Sequence, residues 1–189
     1  MELRSRTPEA WTDCVLKHFD DFLIDHASCE RKASAVGMSF VVRYPDRPEL
    51  LEPMILFAKE ELDHFYQVYR LMARRGLTLL RDEADPYVNS LMQSVRFGRE
   101  ERFLDRLLVS GVIEARGTEK LTLLSQALPD PDLKAFYLKL AKAEYHHQEL
   151  FEDLAMKFFP REVVKDRLNF WLDREATVFS AQDIRPAVH

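Results

Sequence analysis

Two proline-bounded breaks, Pro45-Asp46-Arg47-Pro48 and Pro129-Asp130-Pro131-Asp132, interrupt a sequence whose dominant signal is otherwise helical. Proline lacks an N–H and clashes with the preceding turn, so each break ends one helix and starts another. Before the first break, Trp11, Val15, Phe19, Phe22 and Leu23 recur at helical spacing, and the pattern continues through Ala33, Met38 and Val41 to Tyr44. Thr7-Pro8 supplies a start, with Thr as N-cap and Pro as the first helical residue. After the break, a second helix runs through Leu51, Ile55, Leu62, Phe65, Val68, Leu71 and Met72. Pro53 is expected to kink or restart its first turns, and Gly76 to follow its last.

Residues 77–85 have no sustained period and read as a crossover, followed by a short helix around 87–96. A third long helix covers about 99–127 and a fourth about 132–158, the latter ending before Pro160. A last helix near 161–177 precedes an irregular tail, and no β-rich window competes. Four long helices with one long middle connection define an all-α, ferritin-like four-helix bundle, read as one domain over 1–189 with its core at about 7–158.

Composition removes other classes. Only 5 of 189 residues are Gly, and neither GxGxxG nor GxxxxGK[ST] occurs, so dinucleotide and phosphate loops are absent. The formal charge of −5 excludes a uniformly basic nucleic-acid binder. Cys14 and Cys29 fall in one predicted helix, 15 positions apart, too far to bridge. With no CxxC, no apolar leader and no 18-residue apolar run, the expectation is a reduced, cytoplasmic protein away from membranes.

Two Glu-x-x-His pairs stand out: Glu61-Leu-Asp-His64 and Glu144-Tyr-His-His147. Spacing i, i+3 puts both side chains on one side of a helix. One such pair is a weak signal; its register adds meaning. Glu30 precedes Glu61 by 31 residues, and Glu114 precedes Glu144 by 30, each interval centred on a proline break. Positions equidistant from a hairpin turn lie side by side, so each hairpin sets a lone Glu level with an ExxH. Glu114 also follows the apolar run Leu107-Leu-Val-Ser-Gly-Val-Ile113. Buried carboxylates repel one another unless they take up protons or cations. Four Glu and two His suit iron or manganese better than zinc, and match the ligand pattern of di-metal helical bundles. The expected ligands are Glu30, Glu61, His64, Glu114, Glu144 and His147.

Small residues flank these ligands at helical spacing. Ser34 and Gly37 follow Glu30 by four and seven residues; Gly111, Gly117 and Thr118 stand at −3, +3 and +4 from Glu114. Together they suggest room for oxygen and a substrate group, with Thr118 placed like the oxygen-pocket hydroxyl of di-iron monooxygenases. His26, four residues before Glu30, faces the same way and is a candidate neighbour of ligand or substrate.

Several longer strings carry a resemblance. They are His26-Ala-Ser-Cys-Glu-Arg-Lys-Ala33, Phe57-Ala-Lys-Glu-Glu-Leu-Asp-His-Phe65, Asp85-Pro-Tyr-Val88, and Arg102-Phe-Leu-Asp-Arg-Leu-Leu108 running into Ile113-Glu-Ala-Arg-Gly117. The chain resembles the tRNA 2-methylthio-N6-isopentenyladenosine hydroxylase family from about residue 7 to 175. The resemblance implies a non-haem di-iron monooxygenase with two iron ions and O2 as co-substrate. Its substrate would be the isopentenyl group of a hypermodified adenosine beside the tRNA anticodon. An electron-donor protein of the reductase or ferredoxin type is implied as partner, and the modified base must leave its stack to reach the metals.

A tRNA substrate requires phosphate contacts, and Arg outnumbers Lys by 18 to 9. Arg96, Arg99, Arg102 and Arg106 share one side of a helical wheel if the helix is continuous from 96. Arg74 and Arg75 belong to a second cluster at the end of the second helix. The rival readings are a ferroxidase or iron-storage shell and a quinone-ring hydroxylase with an exposed apolar helix. A monomer or dimer is expected rather than a shell.

Overall fold

The computed structural model describes residues 1–189. It contains seven helices and no strand: α1 Glu9–Lys17, α2 Phe19–Arg43, α3 Pro48–Arg74, α4 Pro86–Met92, α5 Arg99–Ala127, α6 Pro131–Phe158 and α7 Arg161–Ser180. None is long and apolar enough to cross a membrane. They fall into two compact units, one of Asp13–Glu83 with Arg185–Val188, the other of Met1–Thr12, Ala84–Ile184 and His189.

The helix expected from Thr7 to Tyr44 is instead two. The backbone leaves helical geometry at His18 (φ −125°, ψ 45°). The charges suit a stop and restart there: Lys17 ends α1, and Asp20 and Asp21 lie in the first turn of α2. Thr7 is not the cap of α1. Its hydroxyl donates to Glu119 at 2.6 Å and accepts from Arg116 at 3.2 Å, so it serves a tertiary network instead.

In the first unit α2 and α3 pack as a hairpin. Phe22, Leu23, Ala27 and Phe40 of α2 are buried, as are Leu50, Met54, Phe57, Val68 and Met72 of α3. Gly37 makes close approach possible: a Cβ there would sit 2.8 Å from the Phe57 ring and 3.0 Å from the Met54 carbonyl. Pro53 does not interrupt α3, because so near the N-terminus it removes only one early backbone bond. Gly76, at φ +72°, ends α3 in a Schellman turn, with Gly76 N–H to Ala73 O and Leu77 N–H to Met72 O. The crossover is tied back to α2. Ser28 and Arg31 both donate to Asp82, and Lys32 donates to the Glu83 carbonyl. The Ser28 hydrogen bond and the Arg31 charge hold the Asp82 carboxyl below its usual range.

In the second unit α5 and α6 form the corresponding hairpin, with α4 and α7 packed against α5 and each other. Two Asp-Pro pairs start helices alike. Asp85 accepts from the N–H groups of Tyr87 and Val88, and Asp130 from those of Asp132 and Leu133. Trp171, Leu172 and Val178 of α7 are buried, and Phe158 and Phe159 pack on Phe103. Val163 and Phe170 of α7 stay exposed.

Candidate metal centre

Each helix hairpin brings two carboxylates and an imidazole together. In the first unit Glu30 comes from α2, and Glu61 and His64 from α3; all three are buried. His64 Nδ1 lies 3.7 Å from Glu30 Oε2 and 3.9 Å from Glu61 Oε2. One ligand atom from each of the three lies within 4.8 Å of the others. The i, i+3 spacing aligns Glu61 with His64, and the turn at Tyr44–Pro48 sets Glu30 level with them.

The second unit repeats the arrangement. Glu114 comes from α5, and Glu144 and His147 from α6. His147 Nδ1 is 3.3 Å from Glu144 Oε2, and one ligand atom from each of the three lies within 4.8 Å of the others. Glu144 and His147 are buried; Glu114 is half-buried.

The donor sets fit a divalent metal. Two carboxylates and an imidazole gathered away from water are costly together unless a cation or protons offset the charge. Oxygen-dominated ligation with one imidazole per half suits iron or manganese, whereas zinc sites are richer in His and Cys.

The residues around the ligands divide. In the first unit the buried His26 places Nε2 2.6 Å from Glu30 Oε1; its N–H donates to the carboxylate and fixes that side chain. Ser34 donates to the Ala58 carbonyl at 2.8 Å, which occupies the hydroxyl in holding α2 to α3. Gly37 is a packing glycine of the same interface. In the second unit a Cβ at Gly111 would meet the Met1 side chain and the Phe151 Cβ, so this glycine too admits a neighbour. Gly117 differs, because a Cβ there would meet nothing within 4 Å. Beside it the Thr118 Oγ1 is buried with no hydrogen-bond partner. Open space and an unsatisfied hydroxyl therefore lie next to each other, one turn beyond Glu114.

The arginines divide similarly. Arg74 and Arg99 are exposed, and Arg102 and Arg106 are half-buried. Arg75 Nε donates to Asp20 at 2.6 Å and its guanidinium lies over Phe19. Arg96 is not on the α5 wheel, because the helix begins after the Gly98 cap. Its backbone N–H and guanidinium both bind Asp105, a carboxylate that the structure buries completely.

Sequence reasoning also missed the pair Arg116 and Glu175, both fully buried at 2.7 Å. Arg116 further reaches the Ser5 carbonyl, Thr7 and Glu119, and lies 3.7 Å over the Phe179 ring. Tyr87 donates to Glu175 at 3.1 Å. Burial pushes the Glu175 carboxyl up and Arg116 draws it back only in part; burial, then the Glu175 charge, drives the Tyr87 phenol well above its usual value. The partners lie 59 and 88 positions from Glu175, beyond any local pattern.

With this geometry established, the comparisons are specific. The chain is similar to a relative named tRNA 2-(methylsulfanyl)-N(6)-isopentenyladenosine(37) hydroxylase from Pseudomonas putida. The two are 37% identical over 152 residues, covering 80% of this chain and 74% of that protein. A relative of the same name from Salmonella typhimurium is 31% identical over 135 residues, 71% of this chain and 49% of that protein. Among solved structures it is similar to a protein with aldehyde deformylating oxygenase activity from Synechococcus. The TM-score is 0.92 at 36% identity, covering 97% of this chain and 92% of that one. The all-helical order with one long crossover is thus the ferritin-like fold that the sequence implied. The model of the tRNA-(MS2IO6A)-hydroxylase (MiaE) family matches residues 1–189 in full, and the chain belongs to that family of tRNA-hydroxylating oxidoreductases.

Proposed function

We propose that this chain hydroxylates the isopentenyl group of 2-methylthio-N6-isopentenyladenosine beside the tRNA anticodon, using two iron ions held by Glu30, Glu61, His64, Glu114, Glu144 and His147. One observation carries the reading: the same Glu plus ExxH grouping is built twice, once in each hairpin, within a chain of the tRNA hydroxylase family. The reaction consumes the substrate methyl group, O2, two electrons and two protons, and yields the hydroxymethyl group and water. When bound, iron supplies the redox chemistry that cleavage of an unactivated C–H bond requires.

The remaining roles fall to the protein. His26 orients the Glu30 carboxylate through its N–H. Gly117 leaves space one turn from Glu114, and the Thr118 hydroxyl there is free to bond an oxygen-derived ligand or water. Arg74, Arg99, Arg102 and Arg106 supply positive charge for the tRNA backbone. Arg75 donates to Asp20, and Arg96 to Asp105. The electrons come from a separate donor protein, and the working form is a monomer or dimer.

The decisive experiment incubates iron-loaded protein with isopentenylated tRNA, O2 and a reductant, followed by mass spectrometry of the nucleosides. A gain of one oxygen on the modified adenosine is expected. An unchanged nucleoside with fully loaded protein overturns the reading.

A further inference from the structure

The C-terminal half of α3 has a character found in no other long stretch of the chain. From His64 to Arg81 there is no acidic residue, while Arg70, Arg74, Arg75 and Arg81 are all present. Of these, Arg75 is neutralised by Asp20. Arg70 and Arg74 are exposed and have no carboxylate partner; the neighbour of Arg70 is the ring of Tyr66, at 5.9 Å. Tyr66 is 54% exposed and Tyr69 40%. Spacing of three, four and eight residues places Tyr66, Tyr69, Arg70 and Arg74 along one side of the helix, over about 12 Å.

We infer that Tyr66, Tyr69, Arg70 and Arg74 form a docking face for single-stranded RNA, with the tyrosine rings stacking on bases and the guanidiniums contacting phosphates. The inference rests on the tRNA reading above and adds to it the residues that hold the RNA outside the metal site. Charge complementarity selects the occupant. Uncompensated guanidiniums beside exposed aromatic rings match a polyanion that carries flat faces. Tyrosine commits only two rotatable side-chain angles on binding, so its ordering cost is small. Tyr66 lies five residues beyond Glu61 and two beyond His64, which turns it well away from the face that bears those ligands. The patch therefore grips nucleotides flanking the reacting base rather than the base itself.

The test measures binding of a fluorescently labelled, isopentenylated anticodon stem-loop to the metal-loaded full chain at several salt concentrations. Metal content and hydroxylation are followed in the same preparations. Tyr66→Ala should raise Kd about tenfold without changing the salt slope, and Tyr66→Phe should restore binding because the ring face remains. The Arg70→Gln, Arg74→Gln double variant should weaken binding and lower the slope of log K against log salt by about 1.5 to 2. All variants should keep full metal content.

Wild-type affinity in a Tyr66→Ala, Tyr69→Ala double variant overturns the inference while leaving the hydroxylase reading intact if the wild type still binds and hydroxylates. A wild type that neither binds RNA nor hydroxylates it overturns both. Loss of donor-dependent turnover with unchanged RNA affinity assigns the face to a protein partner and overturns the RNA assignment.

Discussion

Arg167 of α7 grips Asp105 of α5 with two bonds, Nε to Oδ1 at 2.6 Å and Nη2 to Oδ2 at 2.9 Å. Arg96 closes the same carboxylate from the α4–α5 connection, through its backbone N–H and its guanidinium. One fully buried side chain thereby joins two helices and a loop, and Arg167 lies over the Phe170 ring at 3.8 Å. Removing the charge leaves two guanidiniums without their partner, so Asp105→Asn should destabilise the protein by about 3 kcal/mol in urea or thermal unfolding.

The pH dependence of that contribution has a definite sign. Burial pushes the Asp105 carboxyl up, but hydrogen bonds from Arg167 and Arg96 outweigh it and hold the group below its usual value. A lowered carboxylate contributes stability that is present above its unfolded pKa, about 4, and lost as pH falls through the folded value. The stability gap between wild type and Asp105→Asn should narrow below about pH 4. A gap that stays constant down to acid unfolding would contradict this.

Metal binding should separate from folding. Glu61→Gln and Glu144→Gln each remove a buried negative charge from one half of the proposed ligand set. Metal-free variants should melt at or above the temperature of metal-free wild type, since charge repulsion is relieved. Added ferrous or manganous ion should raise the Tm of wild type and have little effect on the variants. Elemental analysis checks the same point, and variants that retain a full metal complement would remove these residues from the ligand set.

The glycines of α2 and α5 predict opposite outcomes for one substitution. Gly37→Ala forces a methyl group against Phe57, Ala58 and Met54 and should cost about 1–3 kcal/mol. Gly117→Ala meets nothing and replaces a mid-helix glycine, so it should be neutral or stabilising by up to about 1 kcal/mol. Thermal unfolding of the two variants side by side decides the matter.

Thr118→Val should leave stability unchanged or raise it by about 1 kcal/mol, because a buried hydroxyl without a partner is removed at nearly constant shape. If the hydroxyl serves the reaction, product formed per O2 consumed should fall, and Thr118→Ser should recover most of it. Equal coupling in all three proteins would leave Thr118 with a packing role.

Arg99→Glu with Arg102→Glu should weaken tRNA binding severalfold and leave iron content unchanged, with a smaller salt slope. Arg96→Gln should behave differently and lose stability, since its guanidinium holds Asp105. Affinity and melting curves measured on the same preparations distinguish a binding arginine from a structural one.

The four long helices, the two hairpins and the grouping of Glu30 with Glu61 and His64, and of Glu114 with Glu144 and His147, were legible in the chain; the split of the first helix into α1 and α2 was not. They depend on local rules: helical period, proline at helix starts, and equal distances from a turn. Arg96 shows where such rules stop. A wheel drawn from residue 96 assumes a helix there, but the helix starts at Arg99 and Asp105 turns inward to meet its partners. The break at His18 is a related case, since Trp11, Val15 and Phe22 keep helical phase on both sides of it.

By itself, then, the amino-acid order determined which residues can share a helix face and which faces meet across a short turn, because those relations span fewer residues than a hairpin. Only the tertiary structure decided which charges are buried and satisfied. Asp105 with Arg167, Glu175 with Arg116 and Tyr87, and Asp82 with Ser28 join residues 54 to 88 positions apart. Nothing in the local pattern of a carboxylate tells whether a distant guanidinium will arrive to make its burial affordable.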